Sequence, residues 1–459
     1  MVKIMKIINE IYFKSPTSLQ NFMISTYGRI IYKRRYEGIY YKIRNEIDRL
    51  KSLNKGEVKA LQERLLYEMI KYCITEIPYY KNLCSDFGLT ANDFTTIEDL
   101  KKLPTLDKQT LLAQKDNFRP RNGPKPFIVQ HTSGSTGTPL SLHVDEHTYK
   151  LAMALLVDHE ENHGVPFGSR RATFAGRMLK PINDMTPPFS RFNRPENQRL
   201  FSSYHLNEMT FPHYKNELNR FQPEELIGYP SAICNLADHY LKTDSEPGFR
   251  LKAVITNSET LLVWQREKIE FVFGCPVYDY YGTAEYVMFA GQDQKGIYRP
   301  SPIIGISEVE VSDDSKDTGR LLATSLTNKQ MPLLRYSLGD TATLASVSEA
   351  SIGAPALRSV NGRTDDYIET LDGRLIGRID HIFKGVEGIR EAQVVQSQAG
   401  WATIKLVAHS RASVNECGLL SNCKQRLGED FQATIEYVER IPRGRNGKFR
   451  SVVRRQAKK

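Results

Sequence analysis

The sequence predicts an α/β protein: a large N-terminal domain of layered α/β sheets with a small barrel-like sheet, then a small mobile α+β C-terminal domain. Three observations predict it. From about residue 125, short apolar strands alternate with helical stretches, at Phe127-Ile128-Val129, Ala172-Thr173-Phe174, Leu251–Ile255 and Pro276-Val277-Tyr278. Such alternation layers helices on a sheet. Between 303 and 345 the pattern turns strand-rich, with Ser307–Val311 and Arg320–Thr324. After Gly362-Arg363 a compact tail carries strands near 391–396, 402–408 and 433–438.

The chain has 459 residues, more than one domain ordinarily holds. The expected division is 1–362, a nucleotide- and substrate-binding domain, and 363–459, a lid. Residues 1–80 read as helical, with Leu61, Leu65, Leu66, Met69, Ile70 and Cys73 at helical spacing. A composition of 40% hydrophobic and 25% charged residues is that of an ordinary globular protein. Net charge is +10, which favours anionic partners such as nucleotide, coenzyme A or a membrane surface. The basic stretch Ile30–Tyr36 suits weak contact with an anionic membrane, or simply a solvated helix face. The C-terminal cations lack interleaved aromatic residues, so no specific nucleic-acid partner is expected. Six scattered cysteines form no Cys-x-x-Cys, against a zinc cluster or disulfide framework. No apolar run approaches the ~20 residues that cross a bilayer, and the N-terminal apolar run breaks too early for a signal peptide. The expected location is the cytoplasm, with reduced thiols.

Five segments carry chemistry. The run Thr132-Ser133-Gly134-Ser135-Thr136-Gly137, between His131 and Thr138-Pro139, is a Ser/Thr/Gly loop without an acidic side chain. Glycines bring backbone N–H groups close to a ligand, and successive N–H groups form an anion-binding concavity. No Gly-Lys-Ser/Thr follows, so it is not a Walker loop. Asp279-Tyr280-Tyr281-Gly282-Thr283-Ala284-Glu285 follows a strand. Its tyrosines suit stacking on a purine, and Glu285 suits a Mg²⁺ that bridges phosphate oxygens. Gly339-Asp340 presents a carboxylate that accepts from vicinal hydroxyls, as on a ribose. Gly362-Arg363-Thr364-Asp365-Asp366 lies at the domain boundary, where a hinge belongs. Lys448 sits on a Gly-flanked loop, and a mobile ammonium there neutralises charge developing at carboxylate and phosphate. Each segment alone also fits an ordinary turn, linker or basic tail.

In this order the five segments resemble the motif set of the adenylate-forming superfamily, which includes acyl-CoA ligases, adenylation domains and luciferases. The resemblance spans roughly 130 to 450. It is strongest to the phenylacetate–CoA ligase-like branch, within it to the capsular-polysaccharide biosynthesis, CapK-like group, and Ile77-Pro78-Tyr79-Tyr80 fits that branch as well. It implies ATP-dependent activation of a carboxylic acid as an acyl adenylate with release of pyrophosphate, then transfer to coenzyme A or to an amine. By position, Thr132 to Gly137 form the phosphate loop, and Asn257, Ser258 and Glu259 line the adenine side. Tyr280 and Tyr281 flank adenine, Glu285 holds magnesium, and Asp340 takes the ribose hydroxyls. Arg363 lies near ribose or phosphate, Asp365 is the hinge, and Lys448 bridges carboxylate and α-phosphate. Two positions depart from the pattern: Thr138 stands where the family has Lys, and Ala284 where it commonly has Ser or Thr, with Thr283 as the neighbouring donor.

Candidate acid-binding residues are Phe174, Ala175, Gly176, Arg177, Tyr204, His205, Tyr229, Pro230 and Ser231. Their polarity favours a polar acid over a fatty acid, and Arg177 suits an acidic substituent. Two rival function classes are a zinc metallohydrolase and a non-catalytic binding protein on the same fold. The first rests on His159-Glu160-Glu161-Asn162-His163, which fits His-Glu-x-x-His, and on His143-Val144-Asp145-Glu146-His147, which fits the inverted form. In the latter Asp145 reads as a helix N-cap, so its histidines share no helix face.

Overall fold

The computed structural model describes residues 10–131, 140–181, 183–311, 317–346, 354–363, 368–371, 375–376, 379–383, 386–408, 410–442 and 449–454. The chain begins with helices α1 (Thr17–Tyr36), α2 (Tyr40–Leu50), α3 (Lys55–Glu76) and α4 (Pro78–Asp86). Local chemistry sets their limits. Asn54 caps α3 by accepting from the Glu57 amide at 3.1 Å, while Glu57 accepts from the Asn54 amide at 2.8 Å. Leu66, Met69, Ile70 and Cys73 form its buried stripe. Pro78 starts α4, where the missing N–H costs no helix bond.

Among the described residues, twelve strands form one sheet in the order β11-β12-β13-β14-β10-β9-β8-β7-β6-β3-β5-β4. Its centre is parallel: β5 (Gln198–Ser202), β3 (Arg171–Ala175), β6 (Glu225–Gly228), β7 (Ala253–Asn257) and β8 (Val277–Gly282). Strands buried on both faces read as continuous apolar runs, as in Leu226-Ile227 and Ala253–Ile255. Helix α6 (Glu146–Asn162) leads into β3 after α5 (Lys108–Ala113). Helices α7 (Phe211–Phe221), α8 (Pro230–Lys242) and α9 (Val263–Phe273) lead to β6, β7 and β8. β4 (Ser190–Asn193) is an antiparallel edge, and α1 is fixed to it. There Asn21 accepts from the Phe192 amide at 2.9 Å, and Ser25 donates to the Phe192 carbonyl at 3.1 Å.

Two expectations change. The strand-rich stretch expected as a small barrel-like sheet is an antiparallel continuation of the main sheet. β8 pairs with β9 (Phe289–Gln292), and β10 (Tyr298–Pro300) and β14 (Leu357–Arg363) link it to β11 (Gly305–Val311), β12 (Thr318–Ser325) and β13 (Tyr336–Leu344). Unbroken pairing of strand edges merges what strand density alone suggests is separate. The strand expected at Phe127–Val129 is β1 (Ile128–His131), which stands outside the main sheet in a hairpin with β2 (Ser141–Val144).

The C-terminal segment has its own core. A sheet ordered β19-β18-β17-β20 packs on helix α10 (Glu416–Leu427) through Val394, Ile404, Leu406, Leu419 and Cys423. Its strands β17 (Ile389–Gln398), β18 (Trp401–Ala408) and β19 (Gln432–Tyr437) lie where the sequence predicts them, and β20 is Val452–Arg454.

Asp279 in β8 lies fully inside, accepting from Thr256 Oγ1 at 2.5 Å and Tyr298 OH at 2.6 Å. Burial pushes its carboxyl up to about 7, whereas an unfolded chain's aspartate titrates near ~3.9. The folded chain thus keeps a proton that the unfolded chain has lost. The stabilisation from the neutral acid is complete below about pH 4 and declines as pH rises through about 7. Asp279→Asn is neutral throughout. Its urea midpoint relative to wild type is therefore expected to rise between about pH 4 and pH 8; a difference that stays flat with pH refutes the assignment.

Candidate active site

The candidate residues gather at the C-terminal ends of four adjacent parallel strands: Gly176-Arg177 beyond β3, Tyr229 beyond β6, Ser258-Glu259 beyond β7 and Thr283–Glu285 beyond β8. This is where α/β sheets bind ligands. The chain leaves β3 toward β4 and β5 but leaves β6 toward β7, so their connections diverge and open a crevice between them. Two backbones meet there. A Cβ on Gly228, at φ +156°, would lie 1.9 Å from the Phe174 carbonyl oxygen, so the position accepts only glycine. In return the Tyr229 amide donates to that oxygen at 2.9 Å.

On the nucleotide side, Tyr281 OH donates to Asp340 Oδ2 at 2.5 Å, aiming the carboxylate expected to take the ribose. Asp340 pairs with Arg363 across β13 and β14. Gly339 before it has φ +77°. Asn257 is half-buried and Ser258 exposed, with Ser258 Oγ donating to Asn257 Oδ1 at 2.9 Å. Glu285 is half-buried in a turn closed by the Tyr286 amide on the Thr283 carbonyl at 3.1 Å. Ser258 and Tyr286 both hold positive φ, +68° and +55°. Such strain, about 1–3 kcal/mol per residue, concentrates at functional sites. Beside Gly282, Thr283 Oγ1 is buried without a hydrogen-bond partner among the described residues. A buried hydroxyl left unpaired fits a phosphate or metal-bound oxygen next to it, and the carboxylates of Glu285 and Asp340 are the hard oxygen donors Mg²⁺ prefers.

Two expectations are corrected here. Tyr280 and Tyr281 are consecutive on a strand and point to opposite faces, so they do not flank one ring. Tyr280 stacks on Phe289, centroids 5.4 Å apart, with its edge toward His159, while Tyr281 faces Asp340. His205 is 1% exposed, and both its ring nitrogens are engaged, Nδ1 with Ser202 Oγ at 2.7 Å and Nε2 with the Pro181 carbonyl at 3.0 Å. It holds the segment between β3 and β4 in place and does not line the crevice.

Phe174 is also corrected, since its ring is fully buried in the core and stacks on Phe201 with centroids 4.9 Å apart; the other acid-side residues remain at the crevice. Tyr204 OH donates to the Gly176 carbonyl at 3.2 Å. The Ser231 amide donates to Glu259 Oε2 at 3.2 Å. Arg177 is solvent-accessible, and its neighbours in charge are Arg35, Glu196, Tyr27 and Tyr229. Surrounding protein first, and Arg35 next, push its guanidinium below its ordinary value. Tyr27 and Arg35 belong to α1, which the sequence did not connect with the site.

Thr132 to Gly137, Asp365 and Lys448 lie outside the described residues, as does the side chain of Arg363. Phe449, which follows Lys448 in sequence, is described. Its amide donates to Glu259 Oε1 at 2.5 Å, tying the C-terminal segment to the end of β7. Beside this contact a cavity of about 570 Å³ opens, walled by Ser231, Cys234 and Trp264 on one side and Phe383, Ile389 and Phe449 on the other.

The metallohydrolase pattern is accounted for by packing. His163 stacks on Tyr278 at 3.5 Å, and its Nε2 meets the Gln292 carbonyl. The His159 ring fills the space a Cβ on Gly291 would need. Glu160, which would be the base, is buried against Arg171, whose Nε also donates to Glu225 at 2.7 Å. Asp145 caps α6 by accepting from the Thr148 amide at 2.8 Å, so His143 and His147 sit on a strand and a helix. Among the described residues, no group of three or more His, Cys, Asp or Glu is arranged to hold a metal.

Comparison with known proteins agrees with this geometry. Residues 368–455 match the family described as the CapK C-terminal domain. Over 453 residues the chain is 28% identical to Protein CapK of Staphylococcus aureus, covering 97% of this chain and 99% of that protein. It is 23% identical to a phenylacetate-coenzyme A ligase of Thermus thermophilus, covering 70% of this chain and 73% of that one. A solved structure of 2-hydroxyisobutyryl-CoA ligase in the postadenylation state shares the fold, with TM-score 0.68 and 16% identity over 87% of this chain and 90% of that one. The same ligase in its thioesterification state, with 2-HIB-AMP and CoA, matches with TM-score 0.53 and 17% identity over 88% and 91%. By motif order, strand-end geometry and relatives, the chain resembles the adenylate-forming superfamily, and within it the phenylacetate–CoA ligase-like branch and the CapK proteins.

Proposed function

We propose that this protein activates a polar carboxylic acid with ATP, releasing pyrophosphate, and passes the acyl group from the adenylate to a thiol or an amine. The observation that carries this reading is the bond from the Phe449 amide to Glu259. It puts the residue next to Lys448 at the crevice where Tyr229, Ser231, Glu259 and Thr283 converge. Likeness to phenylacetate-coenzyme A ligases supports a coenzyme A thioester as product, and likeness to CapK supports a place in capsular-polysaccharide synthesis, where amide formation is the alternative.

Each residue's part follows from its chemistry. Asp340, aimed by Tyr281, accepts from the ribose hydroxyls. Tyr281 with Asn257 and Ser258 borders the adenine. Thr132 to Gly137 wrap the phosphates with backbone N–H groups. Glu285 is the carboxylate for Mg²⁺, which when bound offsets charge on the departing pyrophosphate. The substrate carboxylate attacks the α-phosphorus, and Lys448 neutralises both reacting groups as charge shifts between them. No protein nucleophile is needed, because such transfer depends on positioning and charge. Residues 1–362 form the binding domain and 363–459 the lid. The higher TM-score to the postadenylation form supports a lid placed for the first half-reaction, with rotation about Asp365 exchanging it for the second.

Turnover is expected to yield AMP and pyrophosphate in equal amounts, read by coupled assay with a panel of acids; ADP and phosphate as stoichiometric products would overturn the reading. Lys448→Ala is expected to slow adenylate formation by roughly a hundredfold or more, since a lost transition-state charge partner costs ~3 kcal/mol. The same variant should still consume an acyl adenylate supplied ready-made. Asp365→Pro should instead impair transfer more than adenylation, so equal failure of both variants in both steps removes domain alternation. Finally, α1 exposes Leu19, Phe22, Tyr27 and Ile30, carries four Arg and Lys and has no acidic residue. That charge favours weak docking on an anionic bilayer. Sedimentation with phosphatidylglycerol vesicles, abolished by Phe22→Ser with Ile30→Ser and absent with phosphatidylcholine, is the expected result; no vesicle binding refutes it.

A further inference from the structure

The crevice between β3 and β6 holds a cation, Arg177, that no described residue answers. Gly176 is pinned from two sides, its carbonyl by Tyr204 OH at 3.2 Å and its amide by Tyr229. The chain therefore leaves β3 in a set direction, and Arg177 is the next residue. Among the described residues its guanidinium has no ion pair and no hydrogen bond, unlike Arg35 on α1 and the arginines at the opposite end of β3 and β5. Arg35 pairs with Glu196 at 2.9 Å, Arg171 with Glu160 and Glu225, and Arg199 with Glu217. The carboxylate of Glu196, near Arg177, is already held by Arg35 and by Asn193 Nδ2 at 2.9 Å. Arg35 and the phenols of Tyr27 and Tyr229 also lie near Arg177.

Arg177 is open to solvent at the strand ends where the connections leaving β3 and β6 diverge. Helix α1 is held close to the edge strand β4 because Gly28 leaves room for Asn193, whose Oδ1 would lie 2.0 Å from a Cβ there. Tyr229 connects this pocket to the chemistry: it is a neighbour in charge of both Arg177 and Glu259, and Glu259 accepts from the Phe449 amide. An acid whose reacting carboxylate lies by Glu259 and Phe449 thus extends past Tyr229 toward Arg177.

We propose that Arg177 reads a second anionic group on the substrate, so that the acid activated here carries a carboxylate or phosphate in addition to the carboxylate that is adenylated. This rests on the adenylation reading above and adds the substrate class to it. A bidentate guanidinium–oxyanion contact in a partly desolvated pocket is one of the stronger polar contacts available. About tenfold or more in kcat/KM is therefore expected between a matched charged and uncharged acid.

The test is pyrophosphate exchange with pairs that differ only in the distal charge, glutarate against glutaramate and 3-phosphoglycerate against glycerate. Wild type should favour the charged member of at least one pair by about tenfold, and which pair responds separates carboxylate from phosphate. Arg177→Gln should bring that ratio close to one, chiefly by raising KM for the charged acid, with exchange on the neutral acid retained; Arg177→Lys should restore part of it. Thermal denaturation supplies a second readout that needs no turnover: the charged acid should raise the melting temperature of wild type and not of Arg177→Gln. If no acid supports exchange but charged acids still stabilise wild type alone, adenylation fails and the anion site stands. A wild-type preference for neutral acids, or an Arg177→Gln variant that loses charged and neutral acids equally, overturns the proposal.

Discussion

The candidate site depends on one close approach between two backbones. Where β3 and β6 end, the Gly228 backbone lies so near the Phe174 carbonyl that no side chain fits, and the Tyr229 amide satisfies that carbonyl. This contact holds the two strand ends together just where their connections part, so the crevice opens beyond a fixed floor. Tyr229, Gly176 and Arg177 take their places from it, and Ser231 follows at the start of α8, where its amide meets Glu259. A larger residue at 228 would push the strand ends apart and displace every group that lines the acid side.

The electrostatics of the large domain follow a rule of answered charges. Buried carboxylates have partners: Glu160 and Glu225 share Arg171, Asp238 meets Lys268 at 2.6 Å, and Asp279 accepts from two hydroxyls. Unpaired charge inside a protein is costly, so natural folds seldom leave it. Against that background the groups left unanswered stand out. Among the described residues, Thr283 Oγ1 is buried without a partner beside the expected phosphate position, and Arg177 has no ion pair or side-chain hydrogen bond. Both lie along the same row of strand ends, one toward the nucleotide and one toward the acid. Backbone strain falls in that row too, at Ser258 beside Glu259 and at Tyr286 beside Glu285.

The C-terminal segment meets the rest of the chain through contacts that suit a movable part. Its core is closed on itself, with Leu406, Leu419 and Cys423 buried within it. The contacts named across the boundary are polar, the Phe449 amide on Glu259 and Arg390 with Asp238 at 3.8 Å, and a cavity of about 570 Å³ lies between the two parts. Polar contacts exchange with water at small net cost, whereas a continuous apolar interface would resist separation.

Local chemistry made much of this protein legible from its residues. Asn54 with Glu57, Asp145 before α6 and the apolar spacing of α3 act within a few positions of one another, so helices appeared where expected. Tyr281, Glu285 and Glu259 lie at or just beyond strand ends for the same reason, since each closes or follows an apolar strand, whereas Asp340 lies within β13. One expectation was open to correction from the residues themselves: the strand period alone separates Tyr280 from Tyr281. What tertiary structure decided was non-local. Pairing of β8 with β9 merged two expected sheets into one, because strand edges find partners across the chain and not along it. His205 lost its expected role to Ser202 and Pro181, because burial there requires both ring nitrogens to be satisfied. The surroundings of Arg177 come from Tyr27, Arg35, Glu196 and Tyr229, segments far apart in sequence. A residue type and its local spacing can announce a charge; only packing determines whether another part of the same chain neutralises it.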